Sequence, residues 1–183
     1  PPIEDANERS FQRESSALPM YEPDAYRSSD HDPVLVGLDL SSGASYQCAG
    51  ATYTVNELEA AGYAVIVGPN GKDELVGTDG RDAIFALGGN DNVEAGFGDD
   101  LVCGGEGGDQ INAEGGENML FGEQGDDFVR GGVDADMIDA GDGDDRAWGR
   151  QGDDTIDGGN GSDRAWGNQG NDTCVNVESA KQC

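Results

Sequence analysis

The sequence predicts an all-β protein: a parallel β-roll, or right-handed β-solenoid, of twelve nonapeptides, with a short helix-strand N-terminal cap and a C-terminal capping tail. Three observations predict it. Glycine and aspartate are concentrated, since all of the 31 Gly except Gly37, Gly43, Gly50 and Gly62 lie between Gly68 and Val175, together with 20 of the 25 Asp. That window divides into twelve units of nine residues without an insertion, and the same residue types recur in phase. Finally, 35% hydrophobic and 7% aromatic residues are thin for one conventional core in a chain of 183. Low hydrophobicity with high charge otherwise marks disorder, so something besides a core must supply stability.

Residues 1–40 differ in kind from the rest. They start at Pro1 without an initiator Met, and the chain is read as a piece of a longer product. The only His lies in Tyr26-Arg27-Ser28-Ser29-Asp30-His31-Asp32-Pro33-Val34, a polar turn running into the apolar stretch Leu35-Val36-Gly37-Leu38. A lone His in such a turn is most often an ordinary surface residue. Here, Ser-Asp-His-x-Pro-Val before an apolar strand resembles the closing motif of the endonuclease/exonuclease/phosphatase superfamily. The preceding Tyr21-Glu22-Pro23-Asp24-Ala25-Tyr26-Arg27 resembles the matching region of secreted bacterial nucleases. The resemblance implies that His31 acts at a phosphate and that Asp30 orients it or contacts a divalent metal such as Mg²⁺. A carboxylate beside an imidazole raises its pKa and fixes its tautomer, and phosphoryl transfer depends on positioning and charge neutralisation. About forty residues lack the upstream Asn, Glu, Asp and His of that family, so this piece is expected to be catalytically inert.

Residues 41–67 read as a linker and cap. Thr54-Val55-Asn56-Glu57 has the form of a capping box, followed by Leu58, Ala60 and Ala61 and closed by Gly62, which predicts a short helix. Tyr63-Ala64-Val65-Ile66-Val67 is β-prone and leads into the first repeat. Residues 44–67 are expected to cap the end of the stack, where an open strand edge invites aggregation.

Residues 68–175 are the repeats. Position six is Asp73, Asp82, Asp91, Asp100, Asp109, Asn118, Asp127, Asp136, Asp145, Asp154, Asp163 and Asp172. Position four is Gly except at Asp134, position eight is apolar from Leu75 to Cys174, and position one is Gly or Ala. Positions seven to nine predict a very short strand with its middle side chain inward. The glycine-rich remainder takes the positive φ of a tight turn. Two units make an 18-residue coil, coils stack at about 4.8 Å, and units two apart in sequence become neighbours.

The stacking places the position-six residues in two columns, one from Asp73 to Asp163 and the other from Asp82 to Asp172. Carboxylates about 4–5 Å apart repel by about 1 kcal/mol per pair even at water's dielectric. A hard divalent cation between coils reverses that sign, and Ca²⁺ takes six to eight oxygens, backbone carbonyls among them. Segments such as Gly158-Gly159-Asn160-Gly161-Ser162-Asp163 match G-G-x-G-x-D-x-U-x, and the chain thereby resembles the RTX calcium-binding nonapeptide proteins. The resemblance implies Ca²⁺ between repeats i and i+2, held by the position-six side chains and turn carbonyls, with at most ten sites for two columns of six. Asn118 lacks a charge and Asp134 carries a Cβ where the family has Gly, so the sites around 117–118 and 134–136 are expected to be weak or empty. Pro69, Glu123 and Arg150 depart at position two, where only a carbonyl is needed.

Four cysteines suit an oxidising compartment. A Cys174–Cys183 bond would staple the capping tail, residues 176–183, and leave Cys48 with Cys103, but four cysteines allow three pairings and the sequence does not choose. Zinc is disfavoured by the lack of a C-x-x-C spacing. Arg146-Ala147-Trp148 and Arg164-Ala165-Trp166, 18 residues apart, should stack as a Trp ladder that stabilises the coils or, less often for such ladders, meets a partner or glycan.

A net charge of -28 repels nucleic acid and anionic membrane, so the roll itself is expected to bind neither. No apolar run approaches the roughly 18 residues of a membrane span. The expected function is a calcium-binding module that folds outside the cell, as the C-terminal part of a secreted bacterial phosphodiesterase or nuclease. The nucleic acid or phosphate ester would be met only by the missing catalytic domain. The alternative is a stand-alone adhesive or ice-binding β-solenoid. It needs a regular outward array of Thr or Asn, whereas the seventh positions run irregularly from Glu74 to Thr173.

Overall fold

The computed structural model describes residues 43–183. The segment 1–40, with its expected site residues His31 and Asp30, lies outside the described residues. The chain opens with an antiparallel hairpin, β1 (Ser45–Cys48) and β2 (Ala51–Thr54), and a short helix α1 (Val55–Ala60). The capping box forms as the sequence predicts. Thr54 Oγ1 accepts the Glu57 N–H at 3.3 Å, and the Glu57 carboxylate accepts the Thr54 N–H at 3.3 Å.

All remaining strands are parallel and fall in two seven-stranded sheets. One holds β3 (Ala64–Val67), β5 (Asp82–Phe85), β7 (Leu101–Glu106), β9 (Met119–Gln124), β11 (Met137–Asp139), β13 (Thr155–Asp157) and β15 (Thr173–Val175). The other holds β4 (Glu74–Val76), β6 (Asn92–Phe97), β8 (Gln110–Gly115), β10 (Phe128–Arg130), β12 (Arg146–Gln151), β14 (Arg164–Gln169) and β16 (Ser179–Lys181). Consecutive strands alternate between sheets, and partners lie 18 residues apart, as in Val93↔Ile111 and Trp148↔Trp166. This is the β-solenoid that the ninefold phase predicts.

The position-eight side chains fill the interior. Leu75, Ile84, Val93, Val102, Ile111, Leu120, Val129, Ile138, Ala147, Ile156 and Ala165 are all buried in one cluster. One such residue per nonapeptide is why so little apolar content suffices. The small residue at position one is a steric requirement, because a Cβ on Gly122 would run into the Ala140 carbonyl and the Asp127 carboxylate. Position four is stricter still. Gly107 has φ +121°, and a Cβ there would overlap the Gly89 carbonyl of the preceding coil. At position two Leu87, Glu123, Arg150 and Asn168 hold positive φ without being glycine. The repeat backbone is therefore kept at a strain of about 1–2 kcal/mol for each of them.

Three features differ from the sequence reading. Strands β6, β7, β8, β9, β12 and β14 are six residues long instead of three, because pairing continues into the next unit, as in Gly105↔Glu123 and Glu106↔Gln124. The ladders also outrun the repeats at both ends, with β3 pairing β5 and β16 pairing β14. Finally, residues 44–67 do more than cap an end. β3 forms the sheet edge, but the hairpin and α1 lie along the flank, where Cys48, Leu58, Tyr46 and Tyr53 pack with Ala83, Phe85, Leu101, Cys103 and Phe121. Outward-facing apolar residues on β5, β7 and β9 demand that cover. The Cys48–Cys103 disulfide fixes it, and Cys174–Cys183 ties down the tail. Of the pairings left open by the sequence, this is the one that forms.

The Trp ladder is present and longer than expected. Trp148 and Trp166 stack at 4.5 Å with planes 6° apart, Phe128 joins at 4.3 Å from Trp148, and the Arg130 guanidinium lies 4.1 Å from the Phe128 ring centre. Rings stacked on one another present their edges outward, which supports the stabilising role for the ladder.

Candidate functional site

Each strand from β4 to β15 follows a glycine-rich turn that ends in the position-six residue. Its side chain turns back under the coil instead of outward. Asp82, Asp91, Asp100, Asp109, Asn118, Asp127, Asp136, Asp145, Asp154 and Asp163 are all buried, at 3% exposure or less. Ten buried acidic or amide groups in one small domain need partners.

Half of the need is met within the protein. In each column the Oδ1 of one residue accepts the backbone N–H of its counterpart one coil earlier. Asp73 N donates to Asp91 at 2.8 Å, Asp91 N to Asp109 at 2.8 Å, Asp109 N to Asp127 at 2.7 Å and Asp127 N to Asp145 at 2.7 Å. The second column repeats this from Asp82 N to Asp100 at 2.9 Å through Asp154 N to Asp172 at 3.0 Å. Each hydrogen bond holds the register of successive coils, and all but the one that Asn118 Oδ1 accepts from Asp100 N–H are charge-assisted.

The other half is not met. The Oδ2 atoms of Asp73, Asp91, Asp100, Asp109, Asp127, Asp145, Asp154, Asp163 and Asp172, and Oδ1 of Asp82, are buried and accept no hydrogen bond. A buried unsatisfied acceptor costs about 1–3 kcal/mol, and more when charged. Burial accordingly pushes the carboxyls of Asp100, Asp109, Asp145 and Asp154 up to about 6, and that of Asp127 up to about 8. The N–H bonds from the neighbouring coil oppose the rise, and adjacent carboxylates reinforce it. Asp73, Asp91, Asp136 and Asp163 are raised as well, with burial again the main cause.

This donor set suits a hard cation. It offers oxygen only, one unpaired carboxylate oxygen in nearly every nonapeptide beside glycine turns that expose carbonyls and carry no Cβ to obstruct them. Among the described residues no three His, Cys, Asp or Glu side chains converge on one point. One acidic side chain per nonapeptide supplemented by backbone carbonyls is a different kind of site.

One place in the second column is satisfied otherwise. Asn118 Nδ2 donates to Asp136 Oδ1 at 2.9 Å and to the Gly116 carbonyl at 2.9 Å, while Asp136 Oδ2 accepts Gly132 N–H at 2.6 Å. Asp134, which replaces the position-four glycine, accepts the Gly116 N–H at 3.0 Å. Protein donors thus occupy the oxygens around the two departures from the repeat.

Two kinds of participant escape the sequence reading. Glu178, in the tail, accepts the Asp163 N–H at 2.5 Å and extends the first column by one carboxylate beyond the last repeat. The position-five residues Asp99, Asp126, Asp144 and Asp153 accept N–H groups of Glu117, Asp144, Ser162 and Asn171 in the following coil. They form an outer ladder running opposite to the buried one. The position-five pattern is broken by Lys72, Arg81, Gly108 and Ala135, which hides it in the sequence.

A parallel roll with two columns of unpaired carboxylate oxygens defines a calcium-binding β-roll. The comparison with known families agrees: the model of the RTX calcium-binding nonapeptide repeat (4 copies) matches residues 68–102, 104–138 and 139–174. The matched segments make up more than half of the chain, and the chain belongs to that family. No curated protein matches it significantly. Among the described residues no helix is long and apolar enough to cross a membrane.

The raised carboxyls set a pH dependence for the cation-free roll. A carboxyl whose folded pKa exceeds its unfolded value of about 3.9 leaves the folded state with more bound protons between the two values. Stability therefore falls as pH rises through that window. The window runs from about 4 to about 6 for Asp100, Asp109, Asp145 and Asp154, and on to about 8 for Asp127. Calcium-depleted protein should show β structure and a thermal midpoint at pH 4.5 that it lacks at pH 7.5, as read by far-ultraviolet circular dichroism. With excess Ca²⁺ the order should invert, since protons then compete with the cation.

Proposed function

We propose that the position-six side chains of the two columns, with turn carbonyls, hold up to ten Ca²⁺, and that the chain is the calcium-responsive C-terminal part of a secreted metal-dependent phosphodiesterase or nuclease. The observation that carries the calcium reading is the set of ten buried carboxylate oxygens without a hydrogen bond. Bound Ca²⁺ supplies the positive charge that this set lacks. The chain's own residues do the rest. Oδ1 of each carboxylate fixes the coil register through the neighbouring N–H, the position-eight column closes the interior, and glycines at positions one and four leave the turn carbonyls accessible.

Charge supports the count. The repeats carry 20 Asp, six Glu and six Lys or Arg, a net of -20, which ten Ca²⁺ would neutralise. Sites of the extracellular class bind with Kd about 10⁻⁴–10⁻³ M. Such sites stay empty where calcium is scarce and fill outside the cell, and the two disulfides suit the same compartment. The nuclease part of the reading rests on the motif around Asp30 and His31 alone. It predicts that the polypeptide preceding Pro1 supplies the missing Asn, Glu, Asp and His, with Mg²⁺ or another divalent metal.

The test is stoichiometry. Equilibrium dialysis against millimolar Ca²⁺, with calcium measured by emission spectroscopy, should give several ions per chain and no more than ten. Substituting Asp127→Asn should remove one or two of them. Binding of fewer than two ions, or an unchanged count in D127N, overturns the assignment.

A further inference from the structure

The outer face of the sheet β4-β6-β8-β10-β12-β14-β16 carries an ordered charge gradient that neither the calcium columns nor the core uses. Its two outward ladders, positions seven and nine, read Glu74 and Val76 on β4, then Asn92 and Glu94, Gln110 and Asn112, and Phe128 and Arg130. They continue with Arg146 and Trp148, Arg164 and Trp166, and end with Ser179 and Lys181 on β16. One end is acidic and the other basic. In a chain of net charge -28 with only 10 Lys and Arg, four of those cations stand on this half-face. Glu74, Arg146, Arg164 and Lys181 are exposed, and among the described residues their side chains make no hydrogen bond or ion pair. Val76, at the acidic end, is 51% exposed.

Arg146 and Arg164 are register partners on adjacent strands. Two like charges at about 4.8 Å destabilise each other unless a counter-charge meets them. The sheet carries counter-charges toward its other end, Glu74 on β4 and Glu94 on β6, which are diagonal to each other because Glu74 pairs with Asn92 and Val76 with Glu94. We infer that this face binds the same face of a second copy, with the two stacks antiparallel, about a two-fold axis lying parallel to the strands between β8 and β10.

That operation sets β4 against β14 and β6 against β12. Glu74 then faces Arg164 and Val76 faces Trp166, while Glu94, which accepts a hydrogen bond from Asn112 Nδ2 at 2.7 Å, faces Trp148 with Arg146 diagonal to it. Each contact occurs twice, as an isologous interface requires. Arg130 meets Gln110 and Asn112, so no pair of arginines is opposed. The stacked rings present their edges, which leaves no gap for a base or sugar ring between Trp148 and Trp166. A partner that stacks on aromatic faces is therefore disfavoured, and a partner that brings carboxylates is favoured.

Six strands at about 4.8 Å, each about 10–20 Å long, give roughly 300–600 Å² per copy. That is the low end of specific interfaces, so the dimer is weak, with Kd on the order of 10–100 µM. The inference rests on the calcium reading, because two copies with empty columns repel each other.

Analytical ultracentrifugation of the full chain at about 10–500 µM, in millimolar Ca²⁺ and low salt, tests it, with circular dichroism recorded on the same samples. The wild type should show a concentration-dependent monomer–dimer equilibrium that weakens at 0.5 M NaCl. The double variants E74R/E94R and R146E/R164E should each dimerise at least tenfold more weakly. Mixing the two, or combining all four substitutions in one chain, should restore association. A wild type that is folded and monomeric throughout overturns the inference, and so does a four-fold variant that stays monomeric while folded. Retention by a polyanion such as heparin, lost in R146E/R164E, with a monomeric wild type would identify the face as a polyanion surface instead. No calcium-induced fold in any sample would sink the calcium reading, and the dimer with it.

Discussion

Moving the folded chain from about 5 mM Ca²⁺ into excess chelator is expected to abolish the β structure of residues 68–175. The reason lies in the ten carboxylate oxygens that are buried without a partner. At about 1–3 kcal/mol each, they outweigh the 5–15 kcal/mol by which an ordinary domain is stable. Calcium acts on the same atoms. A site with Kd of about 10⁻⁴–10⁻³ M contributes about 1–2 kcal/mol at about 5 mM ligand, and each filled site also removes a repulsion between coils. Contacts run from one coil to the next, so losing one site exposes its neighbours, and the transition should be cooperative along the stack. Far-ultraviolet circular dichroism across a calcium titration should pass from a disordered spectrum to a β spectrum over the millimolar range, with a Hill coefficient above one. Amide exchange should show the β3–β9 flank as the last part to lose protection. There Phe85, Leu101, Cys103 and Phe121 pack under the disulfide-bound hairpin without any ion. An unchanged spectrum in chelator would falsify the coupling of folding to calcium.

Much of this architecture is legible in the sequence because a solenoid repeats one local solution. The inward residue, the turn glycines and the carboxylate each recur every nine residues, so twelve weak signals combine into one strong one. What breaks the period is less legible. Tyr46, Tyr53 and Cys48 read as an ordinary cap, and nothing nearby in sequence says that they cover a flank. That becomes visible only when Phe85, Cys103 and Phe121, each 18 residues apart, are placed outward on one sheet. The same holds for Glu178. It takes the next place in the first column through β16, whose register with β14 is 15 residues instead of 18.

The candidate site divides in the same way. Its column membership follows from spacing, whereas the state of each carboxylate does not. Asp82 Oδ2 is taken by the Thr78 N–H at 2.6 Å and by the Thr78 hydroxyl at 2.9 Å, because Thr78 stands at position two of its unit. Reading such a difference requires knowing that position two lies over the position-six carboxylate of the same unit. Period alone carries no such information. Asp30 and His31 lie outside the described residues, and the role proposed for them rests on motif alone.

The exception in the second column yields the second large effect. Asn118 is the one position-six residue that brings donors, and its Nδ2 gives one hydrogen to Asp136 Oδ1 and one to the Gly116 carbonyl. A neutral amide there does what a cation does elsewhere. Neither Asn118 nor Asp136 has a buried oxygen left without a partner. Substituting Asn118→Asp removes both donors and sets a carboxylate against Asp136. In chelator at pH 4.5 the loss should be about 0.5–1.5 kcal/mol for each of the two hydrogen bonds, with the new repulsion weakened there because burial raises Asp136 and favours its protonated form. With millimolar calcium the sign should reverse, since the variant completes the column and gains a site. The bound-calcium count should rise by at least one, and the melting temperature in calcium should match or exceed that of the wild type. Thermal melts of the two proteins in chelator at pH 4.5 and in calcium at pH 7.5 decide the matter. A variant that is destabilised in both conditions would show Asn118 to be a purely structural residue. One that is stabilised in both would show that its amide has no part in holding the coils together.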